Sequence, residues 1–328
     1  MLFILKDEIF TLEHSTDILA LISGAARSNR HYVVPVDPLS QSFLSWLASL
    51  GENLGPGVSS ALDSNIRFIA SSRAKRTRKV SVEADGQKTI SLSDALKLVH
   101  APLSIYVENS RNDRSFLLSV CTDSQNEYLT TLEQNGEIRF INGGGISELL
   151  KQLDAEHQSG LLRPEESFVL FDSDSLLPGR ISSQATALKS KCEELNLKYE
   201  CLKRRAIENY LTKTTLRYWA YAKSGKRSSL VYKTRTEAFV AYIEMRSDFR
   251  NHFNMKSGIK GDKGRTDLPK GVDLYAGISA EHQSALADGF GRDVASMYED
   301  NRMQENEMKS DGSWDELQQL IVELENFL

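Results

Sequence analysis

Cysteine is scarce in this chain: Cys121, Cys192 and Cys201 are the only three among 328 residues. They form no CxxC pair, which argues against a disulfide framework or a structural zinc and points to a reducing compartment, the cytoplasm. Long apolar runs are missing as well. No stretch approaches the ~20 residues that span a bilayer, so no membrane role is expected. The opening Met1-Leu-Phe-Ile-Leu5 meets Lys6-Asp-Glu8 at once and lacks a basic leader, so it reads as a strand or helix of the fold and not as a signal peptide. There is no GxxxxGK[ST] loop; Ser224-Gly-Lys-Arg-Ser228 lacks the first glycine and the hydroxyl after the lysine. Nor is there a repeat of 20–50 residues.

What is present is an ordinary globular composition, 40% hydrophobic and 26% charged. The net charge of −5 conceals an asymmetry. Between Lys203 and Arg265 stand sixteen Lys or Arg against five Asp or Glu, whereas from Asp293 to Leu328 ten acids face two bases. A smaller basic cluster runs from Arg73 to Lys79. Clustered positive charge suits a phosphate-backbone substrate, although a solvated helix face would look the same.

Three regions are expected. Residues 1–100 read as a mixed α/β unit, with helices at 15–25 and 39–50, a loop at Gly51–Gly57, and a hairpin of 79–83 with 88–91 around Asp85-Gly86. Residues 101–212 alternate strand and helix: strands 103–107, 137–141, 167–171 and 198–202 separated by helices. That rhythm predicts an α/β fold with a parallel sheet flanked by helices. Gly143, Gly144 and Gly145 allow a tight strand-to-helix turn. Residues 213–328 read as a helical region, basic and then acidic. Its last segment carries Leu317, Leu320, Ile321, Leu324 and Leu328 at helical spacing, a stripe for the protein's own core or for a partner.

The chemistry concentrates at the strand ends. The run Ser167-Phe-Val-Leu-Phe171 delivers Asp172-Ser-Asp174, and Leu103-Ser-Ile-Tyr-Val107 delivers Glu108. Open α/β sheets bind ligands at that edge. Neighbouring carboxylates repel one another unless a cation lies between them, and hard oxygen donors suit Mg²⁺ or Mn²⁺. The bland reading is a helix cap.

The order of parts resembles the Toprim domain, and within it the nuclease branch of the OLD-family and related phage-defence proteins. The resemblance covers about residues 101–212. It implies that Glu108, Asp172 and Asp174 bind a divalent metal, Mg²⁺ or Mn²⁺, and catalyse phosphodiester hydrolysis of DNA or RNA. Arg205-Ala-Ile-Glu-Asn-Tyr210 is similar to a stretch of these nucleases, which makes Glu208 a further metal candidate. The family often has an Asp four residues after its Glu; Asn112 stands there and Asp113 one later, so a ligand role for Asp113 is open. A lysine could neutralise developing charge, and Lys256 is the catalytic candidate. Lys203, Arg204, Arg205, Lys256, Lys260 and Lys263 are the candidate nucleic-acid contacts. Related defence nucleases carry or recruit an ATPase; with no nucleotide loop here, an ABC- or SMC-like ATPase in trans is expected, and a homo-oligomer is possible in principle.

Two alternatives stand beside this one. Asp172-Ser-Asp174 is also similar to the nucleophile motif of haloacid-dehalogenase-like phosphatases, though Leu176 occupies the place where that family usually has Thr or Val. The other is a non-catalytic nucleic-acid-binding subunit.

Overall fold

The computed structural model describes the chain apart from residues 72–75, 86–87, 263–274, 276 and 301–302, with the backbone alone at 70 and 71. Two compact units result. One comprises Met1–Leu103, Thr130–Arg139 and Val322–Leu328; the other comprises Ser104–Leu129 and Phe140–Ile321. No helix among the described residues is long and apolar enough to cross a membrane.

The first unit is built on β1 (Leu2–Leu5), α1 (Ser15–Arg27), β2 (Tyr32–Pro35), α2 (Gln41–Ser49), α3 (Gly51–Ser71), β3 (Thr77–Ser81), β4 (Thr89–Ser91) and α4 (Leu92–Val99). Its sheet has the order β2-β1-β3-β4, every pair parallel. The expected hairpin is therefore incorrect. Alternation of period two fixes which side chains share a face but says nothing of strand direction. Parallel pairing lets β4 pass directly into α4, which buries Leu92, Ala95, Leu98 and Val99 in the same core as Ile18, Leu21 and Ile22 of α1. The loop expected at Gly51–Gly57 is also overturned, because these residues open α3 with Pro56 inside the helix. Proline removes one backbone donor there; Leu62 still anchors the helix in the core, with Val58 and Ala61 packed against it. Glycine has a packing reason as well: a Cβ on Gly55 would approach the Leu47 carbonyl oxygen of α2 to 3.3 Å.

The second sheet has the order β6-β5-β7-β8, formed by β5 (Leu103–Val107), β6 (Ile138–Asn142), β7 (Ser167–Phe171) and β8 (Lys198–Cys201). The pairs β5–β7 and β7–β8 run parallel. All five residues of β5 and of β7 are buried, as a central parallel strand covered on both faces requires. The intervening helices are α5 (Ser110–Ser119), α6 (Asp123–Gln134), α7 (Ile146–Gln158) and α8 (Ser183–Glu194). Each start has a local cause. Asn109 caps α5 by accepting from the Asn112 N–H at 3.0 Å, and Ser182 caps α8 through the Ala185 N–H at 3.0 Å. The Gly143–Gly145 turn is used for close approach: a Cβ on Gly143 would lie 2.7 Å from Leu149 Cβ and 3.1 Å from the Val107 carbonyl oxygen.

Beyond β8 the chain forms a 3-10 turn at Ile207–Tyr210, then α9 (Lys213–Tyr221), α10 (Leu230–Glu244) and shorter helical segments, ending in a helix at Trp314–Phe327. The 3-10 turn ends at Tyr210, and α9 starts afresh with the Thr212 side chain as its cap. The stripe Leu317, Leu320, Ile321, Leu324 and Leu328 is buried within the chain.

Candidate functional site

The strand order fixes where the site lies. From β5 the chain crosses to one side for β6 and to the other for β7 and β8, so the crevice opens between the carboxyl ends of β5 and β7. The first residues beyond those ends are Glu108 and Asp172. Glu108 Oε1 accepts the Asp172 backbone N–H at 2.9 Å, which brings the two acids together. Asp172 Oδ1 in turn accepts the Ile207 N–H at 3.0 Å and draws in the turn that carries Glu208. On α5, Asp113 Oδ2 accepts the Asn109 N–H at 2.7 Å, and its side chain is buried. Asp113, and not Asn112, thus joins the cluster. Lys256 Nζ lies 3.2 Å from Glu208 Oε1.

The turn after β7 is sewn to the segment after β8. Asp174 N–H donates to the Arg205 carbonyl at 2.8 Å, and Ser173 Oγ donates to the Arg204 carbonyl at 2.7 Å. Asp174 itself adopts φ +48°, a left-handed conformation uncommon outside glycine and found most often at constrained functional positions. Aromatic packing supports the acids from beneath. Phe116 of α5 meets Tyr298 edge-on at 5.2 Å and Tyr210 at 5.7 Å, while the Tyr298 hydroxyl donates to the Ile207 carbonyl.

The electrostatics follow from burial and crowding. Loss of water raises the Glu108 carboxyl from 4.5 to about 7, aided by the Asp174 and Asp113 charges and opposed by the Asp172 N–H bond and Lys256. Burial and the Glu208 charge raise Asp113 from 3.8 to about 6, against the Asn109 N–H bond. Asp172 is also raised well above the usual carboxylate range, by burial first and then by Glu108 and Glu208, with Lys256 opposing. For Lys256, burial works against the ammonium, but the carboxylates of Glu208, Asp172 and Glu108 outweigh it and raise its pKa. Glu108, Asp113, Asp172 and Glu208 thus all feel the charge of Lys256, whose own side chain is 46% exposed.

Whether these residues suit a divalent cation is decided by the donors. Among the described residues, no three of His, Cys, Asp or Glu form a ready-made metal cage. In kind, however, the donor set is all carboxylate oxygen, as Mg²⁺ or Mn²⁺ requires. Glu208 is 1% exposed, and beyond its ion pair with Lys256 neither carboxylate oxygen receives a hydrogen bond. A buried carboxylate without donors is costly unless a cation compensates it. The residues thus fit a hard divalent ion in the chemistry of their donors, although no ready-made cage is present among the described residues.

The cationic candidates divide. Lys203 and Lys260 are exposed, the latter paired with Asp288 at 2.7 Å; Lys263 lies outside the described residues. Arg204 and Arg205 do not face a substrate, which corrects the sequence expectation. Arg205 is buried in a two-pronged ion pair with Asp262 at 2.7 and 2.8 Å. Arg204 is buried against the Asn209 carbonyl at 2.8 Å, Asp311 at 3.0 Å and the Tyr210 ring. Their guanidinium groups hold the turn that carries the acids. Sequence reading missed Asn109, whose place three residues before Asn112 at a strand end was a legible cap signal, and Asp262, whose 57-residue separation from Arg205 left none.

No family model, curated protein or solved structure matches this chain.

Proposed function

We propose that this protein is a divalent-metal-dependent nuclease that hydrolyses phosphodiester bonds of DNA or RNA. The observation that carries the reading is the gathering of Glu108, Asp113, Asp172 and Glu208 around Lys256 at the topological switch of a parallel sheet. Glu108, Asp172 and Glu208 would hold the ion, with Asp113 and Asp174 beside them. A bound divalent ion supplies Lewis acidity toward a phosphoryl oxygen and makes a hydroxide nucleophile accessible near neutral pH. The chain's own residues do the rest. The Asp172 and Ile207 backbone N–H groups fix the carboxylates of Glu108 and Asp172. Lys256 keeps its positive charge, and its ammonium offsets charge that develops on the phosphoryl group.

The phosphatase alternative has less support, because Leu176 stands where that family usually has Thr or Val. A non-catalytic subunit has no use for a crowded cluster of buried acids at a sheet edge. Given the absence of a GxxxxGK[ST] loop, an ABC- or SMC-like ATPase supplied in trans fits the same reading as its regulator, as does a homo-oligomeric assembly. The test is cleavage of single- and double-stranded DNA and RNA with Mg²⁺ or Mn²⁺, with and without co-expressed partners. Wild type should cut and Asp172→Asn should not. Equal cleavage by both proteins would refute the proposed site.

A further inference from the structure

Next to the acid cluster lies a cavity of about 160 Å³ that the proposed chemistry leaves unused. Its lining includes Leu176, Asp248, Phe249, His252, Phe253 and Tyr275. Its wall begins at Leu176, two residues beyond Asp174 in the chain. His252 Nδ1 lies 3.1 Å from the Ser175 carbonyl oxygen, which can only accept, so Nδ1 carries the proton. Arg205, whose carbonyl holds the Asp174 N–H, also donates to the His252 carbonyl at 3.2 Å. Through the Arg205–Asp262 pair the same group reaches Tyr275, whose hydroxyl donates to Asp262. One buried arginine thus positions both the Asp174 turn and the cavity wall.

The lining is mostly planar and apolar. Phe253 and Tyr275 meet edge-on at 6.3 Å, and Phe253 is almost wholly buried. Phe249 is half-buried, with the guanidinium of the exposed Arg246 5.2 Å from its ring centre and held by Asp248 at 2.7 Å. Aromatic walls with a cation at the rim, in a segment where sixteen bases face five acids, match how proteins seat single-stranded nucleic acid: bases stack on rings while positive charge follows the backbone.

We propose that this cavity receives one unpaired base adjacent to the scissile phosphate, so that the substrate is single-stranded or locally opened at the point of cleavage. The inference rests on the nuclease reading and narrows it, since a base stacked inside a duplex cannot enter a side pocket. The test uses the full-length protein in Mg²⁺ with a short phosphorothioate single strand carrying 2-aminopurine, compared with the matching duplex. Wild type should quench the 2-aminopurine and bind the single strand more tightly. Phe249→Leu should weaken single-strand binding by about tenfold and lose the quenching, whereas Phe249→Trp, which keeps an aromatic face, should retain both. Melting curves of each variant separate loss of stacking from loss of fold. Equal binding by wild type and folded Phe249→Leu, equal binding of duplex and single strand, or no oligonucleotide binding would each overturn the proposal. Turnover is read separately with Asp172→Asn, so failure of the pocket and failure of the nuclease site leave different signatures.

Discussion

Replacing Glu108 by glutamine should stabilise the protein while abolishing the proposed cleavage. The Glu108 carboxyl is raised from 4.5 to about 7, first by burial and then by the Asp174 and Asp113 charges. Each pKa unit corresponds to about 1.4 kcal/mol, so the ionised form costs about 3 kcal/mol above pH 7. Glutamine cannot ionise, yet its carbonyl oxygen can still accept the Asp172 N–H that Glu108 accepts at 2.9 Å. The sign follows from linkage. An acid whose pKa is raised on folding contributes stability below about 4.5 and loses it as pH rises through about 7. Glu108→Gln should therefore gain about 3 kcal/mol over wild type at pH 8 and less than about 1 at pH 5. For a unit of roughly 200 residues that is a rise in Tm of roughly 5–10 °C at pH 8. Thermal denaturation of both proteins in EDTA at the two pH values is the assay. A glutamine variant no more stable than wild type at pH 8, or a difference that does not shrink toward pH 5, would refute the reasoning.

Other outcomes follow from the same geometry. Metal-free wild type should itself become more stable from pH 8 down to pH 5 as Glu108 and Asp113 take up protons, and saturating Mn²⁺ at pH 8 should restore about 2–3 kcal/mol at a hundredfold excess over Kd, both read by differential scanning fluorimetry. Arg205→Ala leaves Asp262 buried without its partner, which should cost about 3–5 kcal/mol in urea unfolding. Lys260→Ala, by contrast, removes an exposed pair with Asp288 and should change stability by less than about 1 kcal/mol. Gly143→Ala forces a methyl against Leu149 and the Val107 carbonyl and should cost about 1–3 kcal/mol in the same experiment.

The acid-bearing half of this architecture was legible because its signals are local. Short, mostly apolar runs at 103–107 and 167–171, rich in β-branched and aromatic residues, read as strands buried on both faces, and whatever follows them emerges at one edge. Asp113 shows how a capped helix resolves what spacing left open: Asn109 starts α5, and the acid four residues on folds back to the Asn109 N–H. The failures are equally physical. Alternation in 79–83 and 88–91 suits parallel and antiparallel partners alike, and only the need of α4 to return to α1 decides between them. Gly51–Gly57 carries the marks of a loop, but tertiary packing of Leu62 and the close approach of Gly55 to Leu47 override them. Arg204 and Arg205 looked like phosphate contacts because charge is visible in sequence and their partners Asp311 and Asp262, far along the chain, are not.

The central claim is that Glu108, Asp172 and Glu208 together hold a divalent cation, and it can be measured without knowing the substrate or any partner. Mn²⁺ binding followed by electron paramagnetic resonance should show saturable occupancy in wild type and its loss in Asp172→Asn at unchanged melting temperature or higher. Identical Mn²⁺ binding by the two proteins, or no binding by folded wild type at pH 8, would contradict the account.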